Sequence, residues 1–106
     1  MNSQLVERYS IADNEWEIMP ELKEARRLHA SCVHDEFVYV FCGQNPATKA
    51  TINSIERLDS QDIQEWELIE IPEAQLSPRY ALAVTPINDI EILLLGGKGI
   101  NNQEYH

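Results

Sequence analysis

The sequence predicts an all-β chain of eight short strands, and three observations predict it. Apolar runs of four to eight residues recur between Asp, Asn, Pro and Gly, the punctuation expected of strands and turns. No stretch keeps apolar residues at i, i+3, i+4 and i+7 over three turns, so helix is disfavoured, with 21–29 the one doubtful window. Finally, VERYSIADNEWEIM at 6–19 returns as IERLDSQDIQEWELI at 55–69, a phrase repeated at a spacing near 50.

Strands are expected over 6–9 and 15–19 around a turn at Ala12-Asp13-Asn14, then over 28–33 and 37–42 around Asp35-Glu36. An irregular loop at 43–51, marked by Gly, Pro and Asn, precedes strands at 54–58 and 65–71. Two more follow at 80–85 and 91–95. The connections are too short for crossover helices, so neighbouring strands should run antiparallel. In 37–42 both faces are apolar, Phe37, Tyr39 and Phe41 against Val38, Val40 and Cys42, as in a strand covered on both sides; 92–95 repeats this. The segments 55–58 and 66–68 are mixed and read as nearer a sheet edge.

At 106 residues with 43% apolar content the chain has room for one domain. Lys plus Arg is 8 against 18 acidic residues, a net charge of −10, which repels nucleic acid and anionic membranes. Glu7, Arg8, Asp13, Glu15 and Glu17 leave no apolar signal core or transit peptide at the start. The longest apolar run, 37–42, falls far short of the ~20 residues that span a bilayer. A hairpin turning at Asp35-Glu36 sets Val33 opposite Val38 and Cys32 opposite Tyr39. It therefore leaves Cys32 and Cys42 roughly 10 Å out of register, beyond the about 7 Å a disulfide allows. Buried thiols suit a reducing compartment, and a cytoplasmic protein is expected.

Aligning the copies sets Trp16 on Trp66 at 50 positions, Glu7 on Glu56 at 49, Arg27 on Arg79 at 52 and Gly43 on Gly97 at 54. In these landmarks the chain resembles the kelch-repeat family, whose four-stranded blades build a β-propeller. The resemblance runs through Arg27, His29, VYVFCG at 38–43, IERLD at 55–59 and WELI at 66–69. It implies strands three and four of a first blade at 5–19, a complete blade at 26–71, and strands one and two of a further blade at 78–97. The whole of 1–106 is then a single kelch-repeat segment. Tyr9, Trp16, Arg27, His29, Gly43, Leu58, Trp66, Gly96 and Gly97 become its structural landmarks, with both tryptophans packed between blades. Cys42 departs from the glycine pair that Gly96-Gly97 completes, and Leu58 stands where the first copy has Tyr9.

Enzymatic chemistry is not expected. Gly96-Gly97-Lys98-Gly99 lacks the upstream Gly and the Ser/Thr of a phosphate loop. His29, His34 and His106 have no ligand spacing, and no metal or cofactor is expected. An enzyme of the propeller-oxidase kind, using copper, is the alternative class, without residues that match it. The resemblance implies protein recognition instead, at loops joining strand four to one and strand two to three: 20–27, 43–51, 72–79 and the tail from Lys98. Arg26, Gln44, Asn45, Lys49, Arg79 and Lys98 are the candidate partner-binding residues there, suited to an acidic or polar peptide. A ubiquitin-ligase adaptor or a cytoskeletal contact would use such a surface. Two blades' worth of strands do not close a propeller of four to eight blades. The expectation is a piece of a longer propeller or, alternatively, copies that self-associate through unpaired edges into a ring.

Overall fold

A computed structural model describes residues 4–69, 71 and 78–99. Eight strands, β1 (Val6–Ser10), β2 (Glu15–Met19), β3 (Ala30–His34), β4 (Phe37–Phe41), β5 (Ile55–Asp59), β6 (Glu67–Ile69), β7 (Ala83–Pro86) and β8 (Ile92–Leu95), account for its regular structure. They form a two-stranded sheet β1-β2, a four-stranded sheet in the order β3-β4-β5-β6, and a two-stranded sheet β7-β8, every pair antiparallel. None of the described residues is helical, the 21–29 window included, so none belongs to a helix that could cross a membrane.

The β3-β4 hairpin has the expected register, Val33 opposite Val38 and Cys32 opposite Tyr39. Its turn residues Asp35 and Glu36 both take positive φ, 49° and 69°, the signature of the type I′ turn that matches strand twist. Cys32 and Cys42 are free thiols, half-buried and buried.

Strand limits differ from expectation where the backbone turns left-handed. Leu28 has φ 54° and Ala81 φ 55°, so the ladders start at Ala30 and Ala83 and not at 28 and 80; Cys42, φ 57°, ends β4 one residue early. The two irregularities are the same device. Leu28 faces a pair with φ 57° and 104° (Cys42, Gly43), and Ala81 a pair with φ 63° and 98° (Gly96, Gly97). Beyond each, the ladder resumes for one bridge, Arg27 with Gln44 and Tyr80 with Lys98. This pairing sets Arg26 in correspondence with Arg79, and Arg27 with Tyr80; the expected match of Arg27 to Arg79 is thus corrected by one residue.

β6 is an edge strand, as expected for 66–68, whereas β5 lies inside the sheet between β4 and β6. Its alternation places Glu56 and Leu58 on the face of Val38 and Val40. There Leu22, Val40, Leu58 and Trp66 form the core, with Val6, Val38 and Ile63 packed against it. The opposite face carries Phe37, Tyr39 and Phe41, with Tyr39 stacked on Phe41 and the Arg57 guanidinium 4.5 Å from the Phe37 ring centre. The β7-β8 side of the molecule abuts this face: Ile90 and Ile92 share a cleft with the three aromatics, and His34 Nε2–H donates to Asn88 O at 2.7 Å. The Val38/Val40 face is thus packed in the core, while the aromatic face is only partly covered; β8, with the same doubly apolar pattern, leaves Leu93 and Leu95 exposed, against the expectation for 92–95.

The flanking hairpin β1-β2 copies the outer half of the central sheet. Arg8 pairs with Glu17 across β1-β2 as Arg57 pairs with Glu67 (2.7 Å) across β5-β6. Burial breaks the likeness: Trp66 is 3% exposed and Trp16 69%. The expectation that both tryptophans are core therefore fails for Trp16, whose ring meets Tyr9 at 5.0 Å and lies outside the apolar cluster.

Two substitutions test this backbone. Replacing Asp35-Glu36 by Asn-Gly should raise the unfolding free energy by about 1 kcal/mol, read from the urea midpoint, because those residues adopt the I′ conformation without steric cost. Gly43→Ala should lower it by more than about 1 kcal/mol, since a Cβ there would meet Arg27 O at 2.7 Å and His29 Cβ at 2.9 Å.

Candidate functional site

The sheets have two distinct ends. At one lie the hairpin turns, held together by Ser60 N–H donating to Glu36 O at 2.9 Å. At the other lie the connections 20–29 and 42–54, joined by the segments 78–82 and 96–99. A continuous backbone lattice ties these together: Gln44 bridges both Arg27 and Thr51, Gly43 N–H donates to Arg79 O (2.8 Å), Ala81 N–H to Leu28 O (2.7 Å), and Tyr80 bridges Lys98.

Beneath this end sits a sealed ion pair. Arg26 is 1% exposed and Glu56 0%, with Nη2 2.8 Å from Oε2. Arg26 Nη1 donates to Cys42 O (2.9 Å) and Ser54 O (3.1 Å), and Nη2 also to Ser54 Oγ (3.0 Å). Glu56 accepts in addition from the backbone N–H groups of Lys23 and Glu24. Two connections and a strand are thereby fixed around one carboxylate. In the sequence Glu56 stands out only as the repeat partner of Glu7, and the signal for its burial is its parity with Leu58 in IERLD. Arg26, a candidate partner contact, is internal and presents no group to a partner in this structure.

The loop after β4 is organised by Asn45, whose Oδ1 accepts from Ala47 N–H (2.9 Å) and Thr48 N–H (3.1 Å) in an Asx turn. Its own N–H donates to Ala50 O at 2.8 Å. Gln44 Oε1 takes two bonds from the Arg27 guanidinium, at 3.0 and 2.8 Å. The loop so held walls an open depression of about 670 Å³ with Glu24, Asn45, Thr48, Thr51, Asn53 and Ser54 among its lining. The Glu24 carboxylate is oriented there by Ser54 Oγ–H, which donates to Oε1 at 2.8 Å.

Of the remaining candidates, Lys49 and Lys98 are exposed, while Arg79 is half-buried with Nη1 3.4 Å from Gly96 O. The structure brings Gln44, Asn45 and Lys49 together on one loop, and the backbone lattice links that loop to Arg79 and Lys98. The candidate stretch 72–77 and the tail beyond 99, with His106, lie outside the described residues. Burial pushes the Cys42 thiol up, opposed by the charges of Arg79 and Arg26 and by a bond from the Arg79 backbone. The His29 imidazole is held below its ordinary value by partial burial and by Arg26, with Glu56 pulling the other way. Among the described residues no three His, Cys, Asp or Glu side chains are grouped so as to hold a metal ion. The site offers hydrogen-bond donors and acceptors in a fixed frame.

Arg26→Met strands the Glu56 carboxylate in the core and should cost about 3–5 kcal/mol in urea unfolding. Glu17→Ala, which breaks the exposed Arg8 pair, should cost less than about 1 kcal/mol. No protein-family model matches the chain, and no curated protein matches it.

Proposed function

We propose that the chain is a protein-interaction scaffold of kelch type, its sheets being propeller blades, and that it binds a protein partner through the loop end. Support for the blade assignment comes from the repeated backbone device at Leu28/Cys42/Gly43 and Ala81/Gly96/Gly97, and from the repeated Arg–Glu pair of the outer hairpins. One observation carries the binding surface: the four segments at this end are locked into a single backbone lattice, so their side chains present a preformed surface. A preformed surface loses little ordering entropy on binding.

The chemistry of the depression refines the partner. Arg26 is consumed internally, and the carboxylate of Glu24 stands among the hydroxyls and amides of Thr48, Thr51, Asn53 and Ser54. A polar peptide rich in donors suits this lining, with exposed Lys49, between Thr48 and Ala50, to contact its acceptors.

A photocrosslinker at Thr48 or Lys49, introduced into the full chain in extracts of its source cells, should capture one partner that the same group at Gln61, on the turn end, does not. Thr48→Arg should then weaken that partner's binding at least about tenfold while the urea midpoint stays put. Capture at Gln61 and not at the loop end would overturn the assignment.

A further inference from the structure

The molecule contains two strand edges that complement each other but belong to opposite sides of it. Among the described residues β8 pairs only with β7 and β1 only with β2. The central sheet shows how such halves join, because β3-β4 corresponds to β7-β8 and β5-β6 to β1-β2, and β4 pairs β5. We propose that β8 of one copy pairs antiparallel with β1 of a second copy, completing a four-stranded sheet between them. The contact is head to tail, each copy using its β8 edge with one neighbour and its β1 edge with another.

The repeat fixes the register. Phe41 opposite Ile55, Val40 opposite Glu56, Tyr39 opposite Arg57 and Val38 opposite Leu58 hold in the central sheet. Carried over, Leu95 lies opposite Val6 of the second copy, Leu94 opposite Glu7, Leu93 opposite Arg8 and Ile92 opposite Tyr9. A slip by one residue would turn every side chain to the other face.

Charge complementarity supports a second copy as the occupant. Arg79 corresponds to Arg26, and each reaches the carbonyl of the residue that starts the left-handed pair, Gly96 at 3.4 Å and Cys42 at 2.9 Å. Glu7 corresponds to Glu56 and is exposed. In the shared sheet Arg79 meets Glu7 of the neighbour as Arg26 meets Glu56. Leu5 replaces Ser54 in the copied site, so the hydroxyl of the internal pair has no counterpart. The same union buries what the isolated hairpins expose, with Tyr9 and Trp16 brought over Ile92 and Leu94 as Leu58 and Trp66 lie over Val38 and Val40. This proposal rests on the internal repeat and is independent of what binds at the loop end.

Sedimentation of the 106-residue chain over a concentration series should show reversible self-association. Glu7→Arg alone and Arg79→Glu alone should each weaken it at least about tenfold, and an equimolar mixture of the two should recover it, because the reversed charges then face each other. In a second experiment, Arg8→Cys combined with Leu93→Cys should give an intermolecular disulfide ladder on oxidation, while Arg8→Cys with Leu94→Cys, on opposite faces, should not. This pair decides the matter if Arg79→Glu does not fold. A chain monomeric at all concentrations, equal crosslinking in both registers, or a stoichiometric complex with another protein's strand at the β8 edge would overturn the proposal.

Discussion

The loop end depends on one buried ion pair. Glu56 sits on β5 with the parity of Leu58, where alternation alone would place an apolar residue against Val40 and Trp66. An uncompensated carboxylate there would be severely unfavourable, so the pair's geometry is what the surroundings must satisfy. Arg26 arrives on an otherwise irregular connection and spends its guanidinium on four acceptors from two other segments. The backbone N–H groups of Lys23 and Glu24 complete the carboxylate. Replacing both charges with apolar groups would leave those N–H groups and carbonyls unsatisfied, which sets this pair apart from ones that hydrophobic residues can substitute freely.

The pair acts together with a backbone device. Left-handed Leu28 and Cys42 lack the freedom of glycine and each costs on the order of 1 kcal/mol. They persist because the bridge between Arg27 and Gln44, the Cys42 N–H bond to Ser54 O and the Arg26 bond to Cys42 O all require that turn. At Gly96-Gly97 the same conformation is made with glycines, where the equivalent arginine makes a longer contact. The two copies thus reach one shape with different residues, Gly96-Gly97 in one and Cys42-Gly43 in the other, each opposite a left-handed non-glycine residue, Ala81 or Leu28.

Strand number, antiparallel pairing and the β3-β4 register were legible because they rest on local signals, apolar runs of strand length and a polar two-residue turn. The limits of the strands were less so. Leu28, Cys42 and Ala81 are left-handed without being Gly or Asn, and only the tertiary hydrogen bonds reveal it. The one-residue error that matched Arg27 to Arg79 has the same origin, since two adjacent arginines look alike until burial separates them. Of the candidate site, Asn45 and Gln44 were legible as loop residues, whereas Glu24 and Glu56 were hidden among 18 acidic residues that charge alone could not sort.

Trp16 and Trp66 show what local sequence does and does not encode. Each follows a polar turn, precedes Glu-aliphatic, and belongs to a hairpin with the same Arg–Glu cross-strand pair, so the sequence writes the same hairpin twice. Their burial differs because the hairpin β3-β4 lies beside β5 and supplies Val40, while among the described residues β1 has β2 on one side and no strand on the other. Burial is therefore a property of the joined pair of hairpins. An edge of this kind is ordinarily a hazard, and the charges Glu7 and Arg8 on β1 restrain indiscriminate pairing. β8, Ile92–Leu95, carries no such charge, so selectivity at that edge must come from the strand that meets it and from Arg79 beside it. In the pairing we propose, a β1-like strand, with a carboxylate at its second position, is what that edge discriminates in favour of.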